Sequence, residues 1–344
     1  MSALRVGLVG YGSAGRGIHA PLLQAAGLEV ALVATRDPGR AAAARADLPS
    51  AQVVGDLPAV LGARPDLVVL ASPTGVHAEQ AVACVRAGVP VVVDKPLAVD
   101  AVSAAAVVRA ARDAGVPLTV FQNRRWDAEQ LTLARLLREG ALGEVFRFER
   151  RWERWRPVPK DRWRENAPAA QGGGLLLDLG AHLVDSAVQL FGPITSVHAE
   201  LAARTTPAED DVFLSCVHAR GVRSHLSATS LAGAPGPRTR VLGTRGAYVV
   251  TSFEAEETAF GDLADADAEH TGWVVAGAER TAVPREGGEH ADLYRAVAAA
   301  LASGGGQAAM PVQPEDAVHV LAVLDAARAS AARGTSVAVA GDPG

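Results

Sequence analysis

Three side chains in this sequence have types and settings suited to moving a proton at an oxygen-bearing carbon. Asp94-Lys95-Pro96 closes a short apolar run, Val91 to Val93. That is the C-terminal edge of a buried strand, where open α/β sheets hold their ligands. A lysine there can give a charge-assisted hydrogen bond to a substrate oxygen, although a lone lysine at a strand end is also an ordinary surface residue. Its company is the stretch Gly172-Gly-Gly-Leu-Leu-Leu-Asp178-Leu-Gly-Ala-His182-Leu-Val-Asp185. If the glycines open a helix, Asp178, His182 and Asp185 stand at i, i+4 and i+7 and share a face. Imidazole is the group best matched to taking a hydroxyl proton near neutral pH, and a nearby carboxylate can orient it. Two other readings stay open: a buried histidine satisfied by its aspartate, or a metal site built from the three side chains. No second histidine or cysteine lies close by, so no metal is expected.

A second constellation sits near the N-terminus. Gly10, Tyr11, Gly12, Ser13, Ala14 and Gly15 form a GxGxxG turn directly after an apolar run. Between strand and helix, these glycines give a tight turn, bare backbone for a pyrophosphate, and close helix packing with the helix N-terminus facing the phosphates. The second apolar run ends in Ala34-Thr35-Arg36-Asp37. A hydroxyl and a guanidinium at Thr35 and Arg36 suit a 2′-phosphate and favour NADP, since a carboxylate there would repel it. Asp37, one place later, keeps NAD possible, and Arg36 also reads as a solvated loop arginine.

The elements that must position these groups are legible in the hydrophobic pattern. Runs at Leu4 to Val9, Val30 to Ala34, Val53 and Val54, Leu67 to Ala71, Val91 to Val93 and Leu118 to Val120 alternate with Ala-rich helical stretches. They are continuously apolar, as parallel strands covered on both faces are. After Phe121 the texture changes. A helical segment, Leu131 to Glu139, precedes an alternating run, Glu144 to Trp155. Turn-separated strands follow at Ser196 to Leu201, Asp211 to His218, His225 to Ser230, Thr239 to Leu242 and Ala247 to Thr251. The expected fold class is α/β. A Rossmann domain with a doubly wound parallel sheet, 1–122, precedes an α+β domain, 123–344, with a large, mostly antiparallel open sheet. The stretch from Glu254 to Gly288 is polar and weakly periodic and receives no assignment. Two amphipathic helices, Ala291 to Ala302 and Pro314 to Arg333, close the sequence.

Composition narrows the function classes. The chain has 344 residues, a formal net charge of -5 and two cysteines, Cys84 and Cys216. The lone cysteines read as buried hydrophobes of a reducing compartment, and no apolar run is long enough to span a bilayer, so a cytoplasmic protein is expected. The negative balance argues against nucleic acid as a partner. One local feature points the other way: Arg147, Arg150, Arg151, Arg154 and Arg156 interleave with Trp152 and Trp155, a pattern suited to stacking single-stranded bases. The overall charge makes sugar or phosphate contact the better reading of that run.

Taken together, these motifs resemble the Gfo/Idh/MocA family of oxidoreductases over essentially the whole chain. The likeness rests on Gly10 to Gly15, Ser72-Pro-Thr74-Gly-Val-His77, Asp94-Lys95-Pro96, and Asp178 with His182. Gln122-Asn-Arg124-Arg125-Trp126-Asp127 and Arg162-Trp163-Arg164-Glu165 resemble the NADP-dependent scyllo-inositol dehydrogenase branch more specifically. The family pattern has Glu where this chain has Asp94, a conservative departure. The resemblance implies a catalytic group of Lys95, Asp178 and His182, with Arg124 and Trp152 joining them around a polyol or sugar substrate. It also implies that Ser72, Thr74, His77, Lys95, Asn123, Arg162 and Trp163 approach the cofactor, and that the second domain supports a homodimer or homotetramer. The competing reading is an NADP(H)-binding sensor without turnover.

Overall fold

Short runs of Val, Leu and Ala flanked by helix-forming stretches leave little choice but strands buried on both faces. In the computed structural model, which describes residues 4–251 and 263–340, six such runs form a wholly parallel sheet. They are β1 (Arg5–Val9), β2 (Glu29–Ala34), β3 (Gln52–Val54), β4 (Leu67–Leu70), β5 (Val91–Asp94) and β6 (Leu118–Phe121). Their order is β3-β2-β1-β4-β5-β6, the doubly wound arrangement in which the strand order reverses between β1 and β4. The crossovers are α1 (Ala20–Ala25), α2 (Pro38–Asp47), α3 (Leu57–Gly62), α4 (His77–Arg86) and α5 (Ala101–Ala114). A π-helical turn, Gly15–His19, leads into α1. Three crossovers start where an aspartate caps them: Asp37, Asp56 and Asp100 accept the N–H groups of Arg40, Ala59 and Ser103. Each cap satisfies a donor the helix leaves open and fixes a turn on the ligand edge of the sheet.

The second sheet is built from period-two sequence. After α6 (Ala128–Arg138) come β7 (Val145–Glu153), the short α7 (Trp163–Asn166) and α8 (Ala181–Phe191), which is entered through a second π-helical turn, Leu176–Gly180. Then follow β8 (Ile194–Ala202), β9 (Asp211–His218), β10 (Arg223–Thr229), β11 (Thr239–Gly243), β12 (Gly246–Val250), β13 (His270–Ala276) and β14 (Glu279–Pro284). The chain ends with α9 (Ala291–Ser303), α10 (Pro314–Arg333) and β15 (Val337–Ala338). The nine strands are ordered β14-β13-β12-β11-β7-β10-β9-β8-β15. Among the described residues, only the β7–β10 pair of this sheet is parallel. On β9, Val212, Leu214, Cys216 and His218 are buried while the residues between them are half-exposed. That alternation marks a sheet with one covered face, and Phe148 of β7 meets Phe191 of α8 there at 5.2 Å between ring centroids.

Two features differ from the expectations. The stretch 254–288 carries β13 and β14, although 252–262 lies outside the described residues. Its strands are hard to read because exposed Thr, Arg and Glu dilute their alternation. The chain also divides into Met1–Asn123 with His290–Val318, and Arg124–Glu289 with His319–Gly344. The segment His290–Val318, placed in the second domain from sequence, thus belongs with the parallel sheet. There the amide of Leu118 donates to Gln307, the hydroxyl of Thr119 donates to the Val312 carbonyl, and Arg295 reaches the Ala25 carbonyl. The edge strand β6 needs such partners, and sequence periodicity does not report them.

Candidate functional site

The first group of candidate residues is the glycine loop after β1. Gly10 adopts φ +96°, a left-handed conformation, and a Cβ on it would meet the Ala71 carbonyl oxygen at 2.6 Å. A Cβ on Gly15 would collide with the Gly10 carbonyl oxygen. Gly12 differs: the nearest atom to its Cβ position is Nη1 of Arg40, 3.7 Å away. Two glycines are therefore required by the fold, and the third leaves bare backbone at the strand-order reversal, which fits a dinucleotide pyrophosphate.

Helix α2 is docked against this loop. Asp47 accepts hydrogen bonds from the Tyr11 hydroxyl (3.1 Å) and from the Arg16 guanidinium (2.6 and 3.2 Å). Burial, helped by Asp47, pushes the Tyr11 phenol up to about 12. The same helix carries Arg40, exposed and beside Gly12, a residue the sequence reading missed. Its signal was its place one helical turn after Arg36. Asp37, which had kept NAD open, is the α2 cap: its Oδ1 accepts the Arg40 N–H at 2.8 Å. Thr35 is half-exposed and Arg36 exposed at this corner.

At the ends of β4 and β5 the side chains are packed more tightly than expected. Ser72 donates to Gln80 (2.6 Å), and Thr74 is buried. His77, expected at the cofactor, is 1% exposed. Its Nδ1 lies 2.8 Å from the Pro96 carbonyl and its Nε2 2.8 Å from the Ser72 carbonyl. Burial lowers the pKa of this imidazole, and a neutral ring donates to one of these carbonyls, so the ring sits between the two loops with its edge turned to protein backbone. Lys95 is 8% exposed, and its amide donates to Asp94 Oδ1 at 2.8 Å. Asp94 lies 3.6 Å from His19 Nε2, and His19 Nδ1 lies 2.6 Å from the Tyr294 hydroxyl. Burial alone would raise the Asp94 carboxyl, but His19, Lys95 and His77 hold it well below the usual carboxylate range. Asn123, buried after β6, has its Nδ2 3.1 Å from His290.

A second group of candidate residues, in the other unit, is organised around Trp152 on β7. Its indole stacks on the His182 imidazole, with centroids 5.8 Å apart and planes inclined by 30°. The guanidinium groups of Arg124, Arg154 and Arg238 lie 5.0, 5.2 and 4.8 Å from the indole centroid. Beneath it, buried Arg150 reaches Glu129 (3.1 Å), Gln130 (2.7 Å) and Thr239 (3.0 Å). Burial pulls Arg238 down to about 10 although the Glu129 carboxylate favours its charge. These cations surround the indole against which the His182 ring stacks.

Asp178 sits in the π-helical turn, 3.4 Å from Arg164. Asp185 forms a bidentate pair with Arg125 at 2.6 and 3.0 Å and is buried. The two carboxylates flanking His182 in sequence therefore serve different arginines. Arg162 pairs with Glu165, and Arg164 lies 5.0 Å from the Trp163 centroid, with Trp163 itself 38% exposed. A small cavity opens here, lined by Asp178 and by cations that follow β7. The basic and aromatic run does not form one surface: alternation sends Arg150 and Trp152 into the core, while Arg151 joins Glu149. Among the described residues, no group of three or more His, Cys, Asp or Glu is placed to hold a metal, and no helix is long and apolar enough to cross a membrane.

Residues 4–122 match the family described as oxidoreductase, NAD-binding Rossmann fold, and residues 130–249 match the GFO/IDH/MocA C-terminal domain. The chain belongs to the Gfo/Idh/MocA oxidoreductases. It is 30% identical to the scyllo-inositol 2-dehydrogenase (NADP(+)) IolW of Bacillus subtilis, over 96% of this chain and 94% of that one. It is 40% identical to the uncharacterized oxidoreductase YdgJ of Escherichia coli, over 74% of this chain and 73% of the relative. Among solved structures, the putative oxidoreductase yvaA of Bacillus subtilis superposes with a TM-score of 0.86 at 28% identity, covering 98% of this chain and 99% of that one. The WlbA dehydrogenase of Bordetella pertussis, in complex with NADH and UDP-GlcNAcA, gives 0.78 at 25% identity, covering 98% and 99%. As a member of this family, the chain is an oxidoreductase with an NAD-binding Rossmann fold.

Proposed function

We propose that this chain is an NADP-dependent dehydrogenase or reductase that interconverts a secondary alcohol and a ketone on a polyol, inositol or sugar. The observation that carries the reading is the bare backbone at Gly12 beside a helix bearing Arg40, with Asp37 used as a cap instead of a ribose ligand. Gly10, Tyr11, Gly12, Ser13, Ala14 and Gly15 cradle the pyrophosphate. Thr35, Arg36 and Arg40 receive the 2′-phosphate through charge-assisted bonds. Ser72, Thr74, Lys95, Asn123, Arg162 and Trp163 complete the cofactor set, and His77 positions the loops that carry two of them.

When bound, the nicotinamide accepts a hydride from the carbinol carbon or returns it to the ketone. His182 takes the hydroxyl proton as the C–O double bond forms, and gives it back in reduction. Lys95 stabilises the oxygen while it carries negative charge, a contribution of a few kcal/mol where water is excluded. Asp178 holds neighbouring substrate hydroxyls, and Arg124 and Trp152 shape the wall behind them. The first 122 residues supply most of the cofactor site, and residues 123–344 supply most of the substrate site and the sheet face through which a homodimer or homotetramer forms. Incubation with NADP or NAD and a panel of polyols, inositols and sugars, followed by nicotinamide absorbance, tests the reading. Turnover with NADP supports it. Tight NADP binding without turnover of any member would instead favour a redox sensor.

A further inference from the structure

One buried polar chain in the parallel-sheet unit has no part in the proposed cofactor or substrate contacts. His19 closes the π-helical turn Gly15–His19 that leads on from the glycine loop, and it is fully buried. Its ring centroid lies 4.4 Å from that of Phe121 at the end of β6, and Phe121 in turn stacks on Tyr294 of α9 with centroids 5.4 Å apart. An apolar side chain would fill such a box without the cost of desolvating a polar group. The imidazole there faces a polar group at each nitrogen. Nδ1 lies 2.6 Å from the Tyr294 hydroxyl, and Nε2 faces Asp94 Oδ2 at 3.6 Å, where it makes no hydrogen bond among the described residues.

Burial, and then the Asp94 charge, raises the Tyr294 phenol well above its ordinary value, so the hydroxyl keeps its proton and can donate. A bare Nε2 would turn its lone pair on a buried carboxylate, whereas a protonated Nε2 meets that carboxylate with a donor. The imidazole proton therefore belongs on Nε2, and in the neutral ring Nδ1 accepts from Tyr294. Asp94 has its other oxygen committed, since Oδ1 accepts the Lys95 amide at 2.8 Å. Burial works against the Asp94 charge, and His19, Lys95 and His77 outweigh burial.

We propose that His19 and Tyr294 are positioning residues for Lys95: Tyr294 fixes the His19 tautomer, the Nε2–H holds the Asp94 carboxylate, and Asp94 holds the Lys95 backbone so that the ammonium is set for the reacting oxygen. This deepens the proposed function and rests on its assignment of Lys95. The same chain ties the turn after the glycine loop to the loop after β5. A small displacement of the ammonium weakens its bond to developing charge more than it weakens substrate binding, so kcat and not KM carries the effect.

The test uses the full chain and compares His19→Leu, His19→Gln and Tyr294→Phe, each alone and combined with Lys95→Ala, on a polyol or sugar that the wild type turns over with NADP. His19→Leu should lower kcat about tenfold with KM changed by less than about twofold, and Tyr294→Phe, which removes one oxygen, should lower kcat about threefold. His19→Gln keeps an N–H donor toward Asp94 and should hold kcat within about threefold of wild type. In the Lys95→Ala background all three should change kcat by less than about twofold, because no ammonium is left to position. Nitrogen NMR of histidine-labelled protein without cofactor, with His19 assigned by its loss in a position 19 variant, should show a protonated Nε2. If His19→Leu does not fold, Tyr294→Phe carries the kinetic comparison. A bare Nε2, or wild-type kcat in both His19→Leu and Tyr294→Phe while Lys95→Ala is about a hundredfold slower, overturns the positioning role and leaves the dehydrogenase reading intact. Equal losses of kcat with and without Lys95 mark a purely structural effect and overturn it as well. Near-normal turnover by Lys95→Ala, or no turnover of any polyol or sugar by the wild type, removes the reading beneath the proposal and the proposal with it.

Discussion

His77 and Pro96 are joined across the ligand edge of the parallel sheet: Nδ1 of the buried imidazole lies 2.8 Å from the Pro96 carbonyl oxygen. The opposite nitrogen makes the same contact with Ser72, so one ring spans the loops after β4 and β5. Replacement of His77 by alanine removes the buried ring and the N–H that a neutral imidazole gives to one of these two carbonyls. The expected cost is about 2 kcal/mol or more in urea unfolding. Cofactor affinity should fall with it, because Ser72 and Lys95 sit on those loops. An alanine variant that kept wild-type stability and wild-type NADP affinity would show that the ring does not set the loops.

The three glycines of the N-terminal turn should separate by phenotype. A methyl on Gly15 strikes the Gly10 carbonyl, so Gly15→Ala must displace backbone and is expected to lower the melting temperature. A methyl on Gly12 has 3.7 Å to its nearest protein atom, so Gly12→Ala should fold at near wild-type stability while dinucleotide affinity drops by about tenfold or more. Thermal denaturation alongside fluorescence titration with NADPH reads both. Equal loss of stability in the two variants would contradict the division of roles.

Cofactor choice is assigned to Arg36 and Arg40 together. Removing either guanidinium should reduce the preference for NADP over NAD by about tenfold, and removing both by about a hundredfold. The ratio of kcat/KM values for the two cofactors measures this. If Arg40→Ala leaves that ratio unchanged, its position beside Gly12 is incidental.

The catalytic assignment is tested most directly at Lys95. Changing it to alanine is expected to cut turnover by about a hundredfold or more while NADP affinity falls far less, since the ammonium acts chiefly on charge that develops during reaction. Near-normal turnover of a verified substrate by the variant would remove lysine from the mechanism.

The parallel sheet was readable because a strand covered on both faces must be apolar along its whole length, as Val91 to Val93 are. The glycine turn was readable because few residues other than glycine permit φ +96° at Gly10 against the Ala71 carbonyl. What escaped was nonlocal. His77 matches a motif without revealing that its ring would sit between the carbonyls of Ser72 and Pro96, on two different loops. Asp185 shares a helical stretch with His182, yet its partner is Arg125, sixty residues away in sequence. Arg40 escaped because the Asp47 contacts that turn α2 toward the glycine loop are tertiary. The strands β13 and β14 escaped because solvent-facing positions of a sheet margin carry little hydrophobic signal.

The last prediction concerns the sheet face away from α8, where Glu149 is buried between two arginines. Arg240 holds it through two bonds of 2.6 and 3.0 Å, and Arg151 reaches it at 2.8 Å. Burial would raise this carboxyl, but the two guanidinium groups outweigh it and hold the group below the ordinary glutamate value. A carboxylate depressed in the folded chain binds its proton less readily there than in the unfolded chain. Its stabilising contribution is therefore fully present above the unfolded value, near pH 4.3, and is lost as pH falls through the folded value. Glu149→Gln should cost about 1–3 kcal/mol at neutral pH and flatten the acid limb of the stability profile. Urea unfolding of both proteins at a series of pH values from neutral to about 2 would show the two curves converging in acid. Parallel curves would mean that the Glu149 charge contributes nothing to holding β7 and β11 together.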